Sequence, residues 1–470
     1  MGHRDENFAD AEVLREFGSR AMQRNARAAG FLGDDFDLLE VRPLDEAGAE
    51  RFHHRFLGGP ATSERLGGEF ALLAVRDLAG GEDAVHERVP MPLDHAADPT
   101  DLDDVRTQPH DHDVAPPQLD RASLSCVTNA RQPSRRRPIM PADPVQTHVV
   151  KSFANEASLV SCRFDLSGRF VFVGLQHSKV VRWDLASGAK TDFEGAHDSW
   201  VRAIAFANKG ETVLTGGHDG RLVWWPTAAE KPAPIRTVEA HAGWIRAIDV
   251  SPDGQFVASC GNDLKIKLWK IDDGSLVREM TGHERHVYNV AFHPGGKNLI
   301  SGDLIANFID WEVETGKALR SFKVPTLHKY DPGFMADYGG PYSLQFAKDG
   351  KQFVAGGITN VSNAFAGIGN PAFCMVDWET GKETIAHLCK SGLNGKAFGA
   401  VLHPENFLIG GVGGGGGGHV FFWKPGEKNE FHTFNIGNAI RDLALHPDGI
   451  QFATAHHDKQ LRLLAMKPKA

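Results

Sequence analysis

The amino-acid sequence predicts an all-β fold, a seven-bladed β-propeller over residues 145–470, preceded by a mostly disordered N-terminal extension over residues 1–139. Three observations support this prediction. An alternating apolar run that ends in tryptophan recurs through the second part of the chain. The recurrences lie 41 to 45 residues apart, with one step of 67. The composition also changes sharply near residue 140, just before the repeats begin.

The extension differs from the rest of the chain in its residue types. All nine tryptophans, all four tyrosines and every lysine lie after residue 140. A segment with so few large side chains buries too little to offset its ordering entropy, so we expect disorder with a local helix near residues 8–30. Two alternatives stay open. The extension could fold as a small domain, or it could be non-native coding sequence, because arginine without lysine is typical of GC-rich DNA read upstream of a true start such as Met140.

Each repeat unit predicts four short strands. A first strand such as residues 201–206 is followed by a turn such as 251–254, a second strand, a tight turn, the tryptophan strand and a fourth strand. Strands of period two at this spacing are typical of propeller blades, and blades in a ring bury faces that one blade leaves open. The seven third strands end at Trp183, Trp225, Trp269, Trp311, Trp378, Trp423 and Leu464.

The repeats resemble the WD-repeat family, the β-propellers similar to G-protein β subunits. That family has a structural tetrad: His before the first strand, Ser or Thr on the second, Asp in the next turn, and Trp. Two blades match it fully, with His197, Thr215, Asp219 and Trp225, and with His241, Ser259, Asp263 and Trp269. The resemblance implies that these side chains hold their own blades together and that the protein binds partners instead of catalysing a reaction.

Two other blades match the tetrad only in part. The fourth has His283, Ser301 and Trp311 but no Asp in register, and the seventh has Thr454 and Asp458 without Trp. The ring is expected to close through residues 146–153, which align with a fourth strand and would complete the blade formed by residues 439–466. Such a seam removes the exposed sheet edge that an open ring would have.

Composition excludes several classes of function. A formal net charge of −9 gives no basic footprint for nucleic acid. No apolar run reaches 18 residues, and the N-terminus lacks the apolar core of a secretory signal. The five cysteines have no paired metal-ligand spacing, so we expect free thiols in a reducing compartment. The prediction is a cytoplasmic protein without cofactor or metal, and the sequence leaves its oligomeric state open.

The candidate partner site is a ring at the mouth of the central channel. The first strand of each blade places one side chain there: Val160, Arg202, Arg246, Tyr288, Tyr342, Phe398 and Arg441, with Trp200 and Trp244 close by. Arginine and large aromatic residues are enriched at interface hot spots. We therefore expect the ring to bind an acidic or aromatic-containing peptide of a protein partner. The alternative is that these side chains stack on one another and plug the channel.

The abnormal step of 67 residues points to the same face. One insertion, residues 324–340, contains Tyr330 and Tyr338, and a second, residues 359–371, joins the second and third strands of the fifth blade. Loops of this length are usually functional or disordered. The six glycines 413–418 occupy the equivalent joint of the sixth blade, and the conformational freedom of glycine predicts a flexible loop there. No phosphate-loop context surrounds them, so nucleotide binding is not expected.

The first insertion also concentrates ionisable side chains: His328, Lys329, Asp331 and Asp337. A hydrolytic or ligand-binding site beneath residues 324–340 is therefore the alternative function, although no paired motif or ligand spacing supports it. The main prediction is a non-enzymatic scaffold that binds partner proteins or peptides on the loop-rich face of the propeller.

Overall fold

The computed structural model describes residues 40–41, 141–332, 336–363, 367–389 and 392–469. Its described part is a seven-bladed propeller in which each blade is a four-stranded antiparallel sheet. The predicted fold class is thereby confirmed for the repeats. The expectations for a helix near residues 8–30 and for disorder or a non-native origin of residues 1–139 lie outside the described residues, apart from the two-residue strand Glu40–Val41.

The strands of the blades follow the predicted order from the channel outward. Blades one to four consist of Leu159–Phe164, Phe170–Leu175, Val180–Asp184 and Lys190–Phe193; Val201–Ala207, Thr212–Gly217, Arg221–Pro226 and Arg236–Glu239; Ile245–Val250, Phe256–Gly261, Lys265–Lys270 and Leu276–Thr281; and Val287–Phe292, Asn298–Asp303, Asn307–Glu312 and Ala318–Lys323. Blades five and six consist of Ser343–Phe346, Gln352–Asn363, Ile368–Asp377 and Glu383–Leu388; and Lys396–His403, Phe407–Gly414, Gly417–Trp423 and His432–Gly437.

Blade seven closes the ring. Its inner strands are Ile440–Leu445, Gln451–His456 and Gln460–Met466, and its outer strand is Thr147–Ala154 from the start of the propeller. The pairing is antiparallel and runs from Thr147 opposite Met466 to Ala154 opposite Gln460. The seam predicted from the sequence is therefore present, and the third strand of this blade gains hydrogen bonds on both of its edges.

The insertions form ordered β structure. In the first, the 3₁₀ turn Pro325–Leu327 leads into a hairpin of His328–Asp331 and Ala336–Gly339, and the latter strand also pairs with Glu40–Val41. The second insertion lengthens the middle strands of blade five to 12 and 10 residues, because the ladder continues through Thr359 opposite Asn370. Two further 3₁₀ turns are Pro144–Gln146 and Asn208–Gly210.

The glycine run differs from the expected flexible loop. It is a tight hairpin in which Gly413 pairs with Gly418 and Gly414 with Gly417. A Cβ on Gly413 would lie 2.1 Å from the carbonyl oxygen of Ile440, and one on Gly418 would lie 1.8 Å from that of Asn438. Glycine is required at these two positions because the backbone of blade seven passes so close.

The core consists of contacts between neighbouring blades. Trp225 of blade two is fully buried and meets Phe193 of blade one edge to face, with ring centroids 5.6 Å apart. Trp311 and Trp423 are buried in the same way. Burying a large side chain stabilises a fold by roughly 1.5–3 kcal/mol, so the repeated tryptophans hold adjacent blades face to face.

The two complete tetrads have the expected hydrogen bonds. In blade three, Trp269 Nε1 donates to Ser259 Oγ over 2.9 Å, His241 Nε2 lies 2.8 Å from the same oxygen, and His241 Nδ1 lies 2.8 Å from Asp263. Blade two repeats this through Thr215. Burial raises the pKa of Asp263, but the hydrogen bond and charge of His241 outweigh it and the net pKa is lowered.

Blade four corrects one sequence interpretation, because an aspartate does complete its tetrad. Asp303 Oδ2 lies 2.9 Å from His283 Nδ1, and its other oxygen accepts the backbone N–H groups of Ile305 and Asn307. This residue lies two positions after Ser301, whereas the spacing from Thr215 to Asp219 and from Ser259 to Asp263 is four. The carboxylate therefore reaches the same histidine nitrogen from the end of the second strand instead of from the turn.

Blade seven uses a different histidine. His456, at the end of the second strand, has Nε2 2.7 Å from Thr454 Oγ1 and donates from Nδ1 to the carbonyl oxygen of Asn438. Burial and Arg462 lower the pKa of His456 to about 4, so its ring is neutral near pH 7. Asp458 pairs with Arg462 and not with a histidine.

Candidate functional site

The channel mouth is built by one structural device repeated around the ring. In six blades the strand register shifts at a single residue of the first strand, between Leu159 and Ser161 in blade one and correspondingly in the others. A bulge of this kind re-aims one side chain away from the sheet. The residues skipped by the register are Val160, Arg202, Arg246, Tyr288, Phe398 and Arg441, and Tyr342 of blade five directly precedes its first strand. The seven positions registered from the sequence are thus equivalent.

Five of these side chains contact one another in succession and are here called the mouth arc: Arg246, Tyr288, Tyr342, Phe398 and Arg441. The Arg246 guanidinium lies 4.2 Å from the centroid of the Tyr288 ring. The three aromatic rings follow with centroid separations of 5.8 and 5.5 Å, and the Arg441 guanidinium lies 5.4 Å from the Phe398 centroid. Guanidinium groups stack favourably on aromatic faces, so the arc fixes the planes of two arginines.

The aromatic part of the mouth arc is buried. Tyr288, Tyr342 and Phe398 belong to one apolar cluster with Tyr338 of the hairpin, together with Leu304, Ile358 and Val361. Tyr338 is only 1% exposed, whereas Tyr330 of the same hairpin is 38% exposed. The insertions therefore pack onto the aromatic side chains over blades four to six. In this half of the ring the aromatic side chains contact one another and the insertions, and their part in partner binding stays a prediction.

The other half of the mouth is more open. Arg202 and Arg441 are half-buried, as are Trp200 and Trp244. His218 lies between the two tryptophans, with ring centroids 5.4 Å and 4.2 Å away. We call these three rings the aromatic step. Trp244 also contacts the mouth arc, because the Arg246 guanidinium lies 5.2 Å from the centroid of its ring.

Sequence reasoning did not single out His218, although it precedes the tetrad residue Asp219 in the tight turn between the second and third strands of blade two. That turn lies on the same face as the loops before the first strands, which is the signal that could have found it. Arg285 was missed as well, because its partner is 52 positions away in the chain.

The open half carries positive charge. Burial, Arg246 and Arg441 lower the pKa of Arg202, against the opposing influence of Asp442. Burial together with Arg246 and Arg285 lowers the pKa of His286 to about 3, so that ring is neutral. The Asp442 carboxylate accepts from Arg163 Nη1 over 2.6 Å and from the backbone N–H of Cys162 over 2.9 Å. It is therefore committed to the contact between blades seven and one.

The first insertion does not gather free carboxylates. Asp337 is fully buried, and its carboxylate lies 3.1 Å from Arg285 Nε and 3.0 Å from His328 Nε2. Lys329 Nζ donates to the carbonyl oxygen of Val361. A carboxylate held in this way orders the hairpin and is a poor general base. Within the described ranges, no cluster of three or more His, Cys, Asp or Glu side chains could hold a metal ion.

Four segments of the chain match a known protein-family model. The family model described as "WD domain, G-beta repeat" matches residues 190–226, 232–270, 274–304 and 429–463. These segments fall on blades that carry full or partial tetrads. These matches, together with the seven four-stranded blades, support a WD-repeat β-propeller family. In WD-repeat propellers the tetrads are structural, as they are here in blades two to four.

Curated relatives resemble this propeller over part of its length. The nuclear distribution protein nudF of Aspergillus niger is 25% identical over 185 residues, which cover 35% of this chain and 42% of that protein. The nudF protein of Emericella nidulans is 27% identical over 31% of this chain and 38% of its own length. Human WD repeat-containing protein 36 is 24% identical over 36% of this chain and 18% of its own length. The chain thus spans less than half of the length of each.

Proposed function

We propose that this propeller is a non-enzymatic scaffold that binds a partner protein or peptide at the open half of the channel mouth. The observation that carries the proposal is the juxtaposition of the half-buried aromatic step with the arginines of the mouth. Partly exposed tryptophan and arginine combine large contact area with several donors, which is why they dominate binding energy in protein interfaces.

The match to WD repeats supports the coarser part of the proposal, because WD-repeat propellers generally bind proteins and are generally not enzymes. The geometry of the first insertion supports it too, since Asp337 is already held by Arg285 and His328. No described helix has the length and apolar character that a bilayer crossing needs. The described cysteines Cys162, Cys260, Cys374 and Cys389 are free thiols, which is typical of reducing compartments and supports a cytoplasmic location.

The test is affinity capture from a lysate of the source cells with the full chain and two double variants. Trp200→Ala with Trp244→Ala should weaken capture of the specific partner by about 30-fold or more, the loss of one hot spot of about 2 kcal/mol. The matched control is Leu276→Ala with Phe431→Ala, which removes two exposed large apolar side chains, one on the outer strand of blade three and one directly before the outer strand of blade six. Equal capture by both double variants and the native chain would refute this face as the interface.

A further inference from the structure

The tight turn between the second and third strands of blade three holds two residues of the channel mouth. Asn262, in this turn, donates its backbone N–H to the carbonyl oxygen of Trp244 over 3.0 Å. Its side-chain Oδ1 accepts a hydrogen bond from Arg246 Nε over 2.6 Å. Since a guanidinium only donates, the amide of Asn262 has to present its oxygen there. One residue thus contacts both the backbone of the aromatic step and the first side chain of the mouth arc.

The backbone contact recurs in blade two, where the turn residue His218 donates its N–H to the carbonyl oxygen of Trp200 over 2.8 Å. The side chains of the two turn residues are used differently. The His218 ring stacks between the two indoles of the aromatic step, whereas the amide of Asn262 bonds the arginine. The step is therefore fixed by a ring in blade two and by a hydrogen bond in blade three.

The tetrad of blade three fixes Asn262 itself. The next residue, Asp263, is the tetrad carboxylate, which lies 2.8 Å from His241 Nδ1 and accepts the backbone N–H of Lys265 over 3.2 Å. On the other side of Asn262, a Cβ on Gly261 would lie 2.2 Å from the carbonyl oxygen of Trp244. The turn therefore cannot move away from the mouth without breaking hydrogen bonds of the blade core.

The side chain that Asn262 holds joins the two parts of the mouth. Arg246 is 5% exposed, and its guanidinium lies 5.2 Å from the Trp244 centroid and 4.2 Å from the Tyr288 centroid. A hydrogen bond at Nε restricts rotation of the planar guanidinium. The contacts of this plane with the two rings are thereby kept in one arrangement.

We infer that Asn262 is the positioning residue of the partner site, which holds Arg246 and Trp244 in the arrangement that a bound partner meets. This inference rests on the proposed function and identifies how that face is kept rigid before binding. A side chain that is already fixed loses little freedom when a partner binds, whereas a freed arginine has to be ordered at the expense of affinity.

The first test uses the full chain labelled with 5-fluorotryptophan and needs no partner. The fluorine signal of Trp244 is assigned by its loss in Trp244→Phe, and that of Trp183, a half-buried tryptophan of blade one, by its loss in Trp183→Phe. Asn262→Ala keeps the backbone N–H and removes the acceptor of Arg246, so the Trp244 signal should broaden while the Trp183 signal stays narrow. Asn262→Asp keeps an acceptor oxygen in place and should keep the Trp244 signal narrow.

The matched control is Asn298→Ala, which removes a side-chain hydrogen bond from Asn298 Nδ2 to Asp310 Oδ1, 2.8 Å long, on the second strand of blade four. It should leave the Trp244 signal as it is in the native chain. A Trp244 signal that stays narrow in Asn262→Ala, or that broadens equally in Asn298→Ala or in Asn262→Asp, would overturn the inference.

The second test measures binding, with the protein whose capture from the lysate is lost in Trp200→Ala with Trp244→Ala as the probe. Asn262→Ala should weaken its capture by about three- to tenfold, which corresponds to ordering one freed arginine side chain on binding. Asn262→Asp should restore capture, and Asn298→Ala should not change it. If capture needs the two tryptophans but is unchanged in Asn262→Ala, the positioning role fails and the proposed function stands; if capture needs none of these residues, both fail.

Discussion

The tetrad of blade four allows a stability prediction with a worked magnitude. Ser301 Oγ accepts the indole N–H of Trp311 over 2.7 Å and lies 2.6 Å from His283 Nε2. Since His283 Nδ1 faces the Asp303 carboxylate, Nδ1 carries the proton and Nε2 accepts from the serine hydroxyl. In Ser301→Ala the buried indole donor and the buried imidazole acceptor both lose their partner. Each orphaned group costs about 1–3 kcal/mol, so for the two groups we expect a loss of about 2–6 kcal/mol in the free energy of unfolding.

The assay is urea unfolding at pH 7.5, followed by tryptophan fluorescence and by circular dichroism. Ser321→Ala is the matched control, because Ser321 is exposed on the outer strand of the same blade, where a surface substitution changes stability by no more than about 0.5 kcal/mol. If the two variants unfold within 0.5 kcal/mol of each other, the tetrad does not stabilise this blade as the hydrogen bonds imply.

Three further predictions concern the seam, the Asp249 carboxylate on the first strand of blade three and the glycine hairpin. Deleting residues 1–139 should leave the melting temperature unchanged, whereas deleting residues 1–155 removes the whole outer strand of blade seven and should give an unfolded or aggregated chain; similar melts for the two would contradict the importance of closure. Burial raises the pKa of Asp249 from 3.8 to about 6, although the Phe292 and Val250 N–H groups and Arg163 oppose it. Its charged form is therefore destabilising above pH 6, and this penalty disappears below about pH 4. Asp249→Asn should raise the melting temperature at pH 7.5 and lose that gain as the pH falls to 4. A gain in melting temperature that is constant with pH would contradict the raised pKa of Asp249. Gly413→Ala places its Cβ 2.1 Å from a backbone oxygen and should lower the melting temperature by several degrees, whereas Gly415→Ala has no neighbour within 4 Å and should be tolerated; equal melts would show that the glycine run is not packed.

The fold was predictable because its information is local and repeated. Each repeat has the same alternation of apolar and polar residues and the same types of turn residue, so a wrong interpretation of one repeat is corrected by the others. The seam could also be inferred, since residues 146–153 match a fourth strand that has no first three strands before it. The roles of Asp303 and His456 were not predicted, because the tetrad positions were read from their spacing along the chain. A carboxylate or an imidazole needs only to reach the correct atom, and a residue at the end of the second strand can do so.

The equivalent positions of the channel-mouth side chains were predictable from the sequence, and their burial was not. Counting along the first strands located Arg202, Tyr288 and their counterparts, because a bulge recurs at one place in the repeat. Burial of Tyr288 and Tyr342 depends on how the first insertion folds back over blades four to six. That packing joins Tyr338 to Ile358 and Val361, and no repeat in the sequence encodes it. Inserted segments are unique to one blade, so the sequence offers no second copy from which to infer their path.

The pairing of Thr147 with Met466 has a mechanical consequence. These two residues are the first and last of the closing strands, and they lie opposite each other at one end of an antiparallel ladder. A force that pulls the two ends of the propeller apart therefore loads the hydrogen-bonded pairs one after another, as in a zipper, instead of shearing all of them together. The ring should open at low force from this end, while the same seven blades resist thermal unfolding as one closed body.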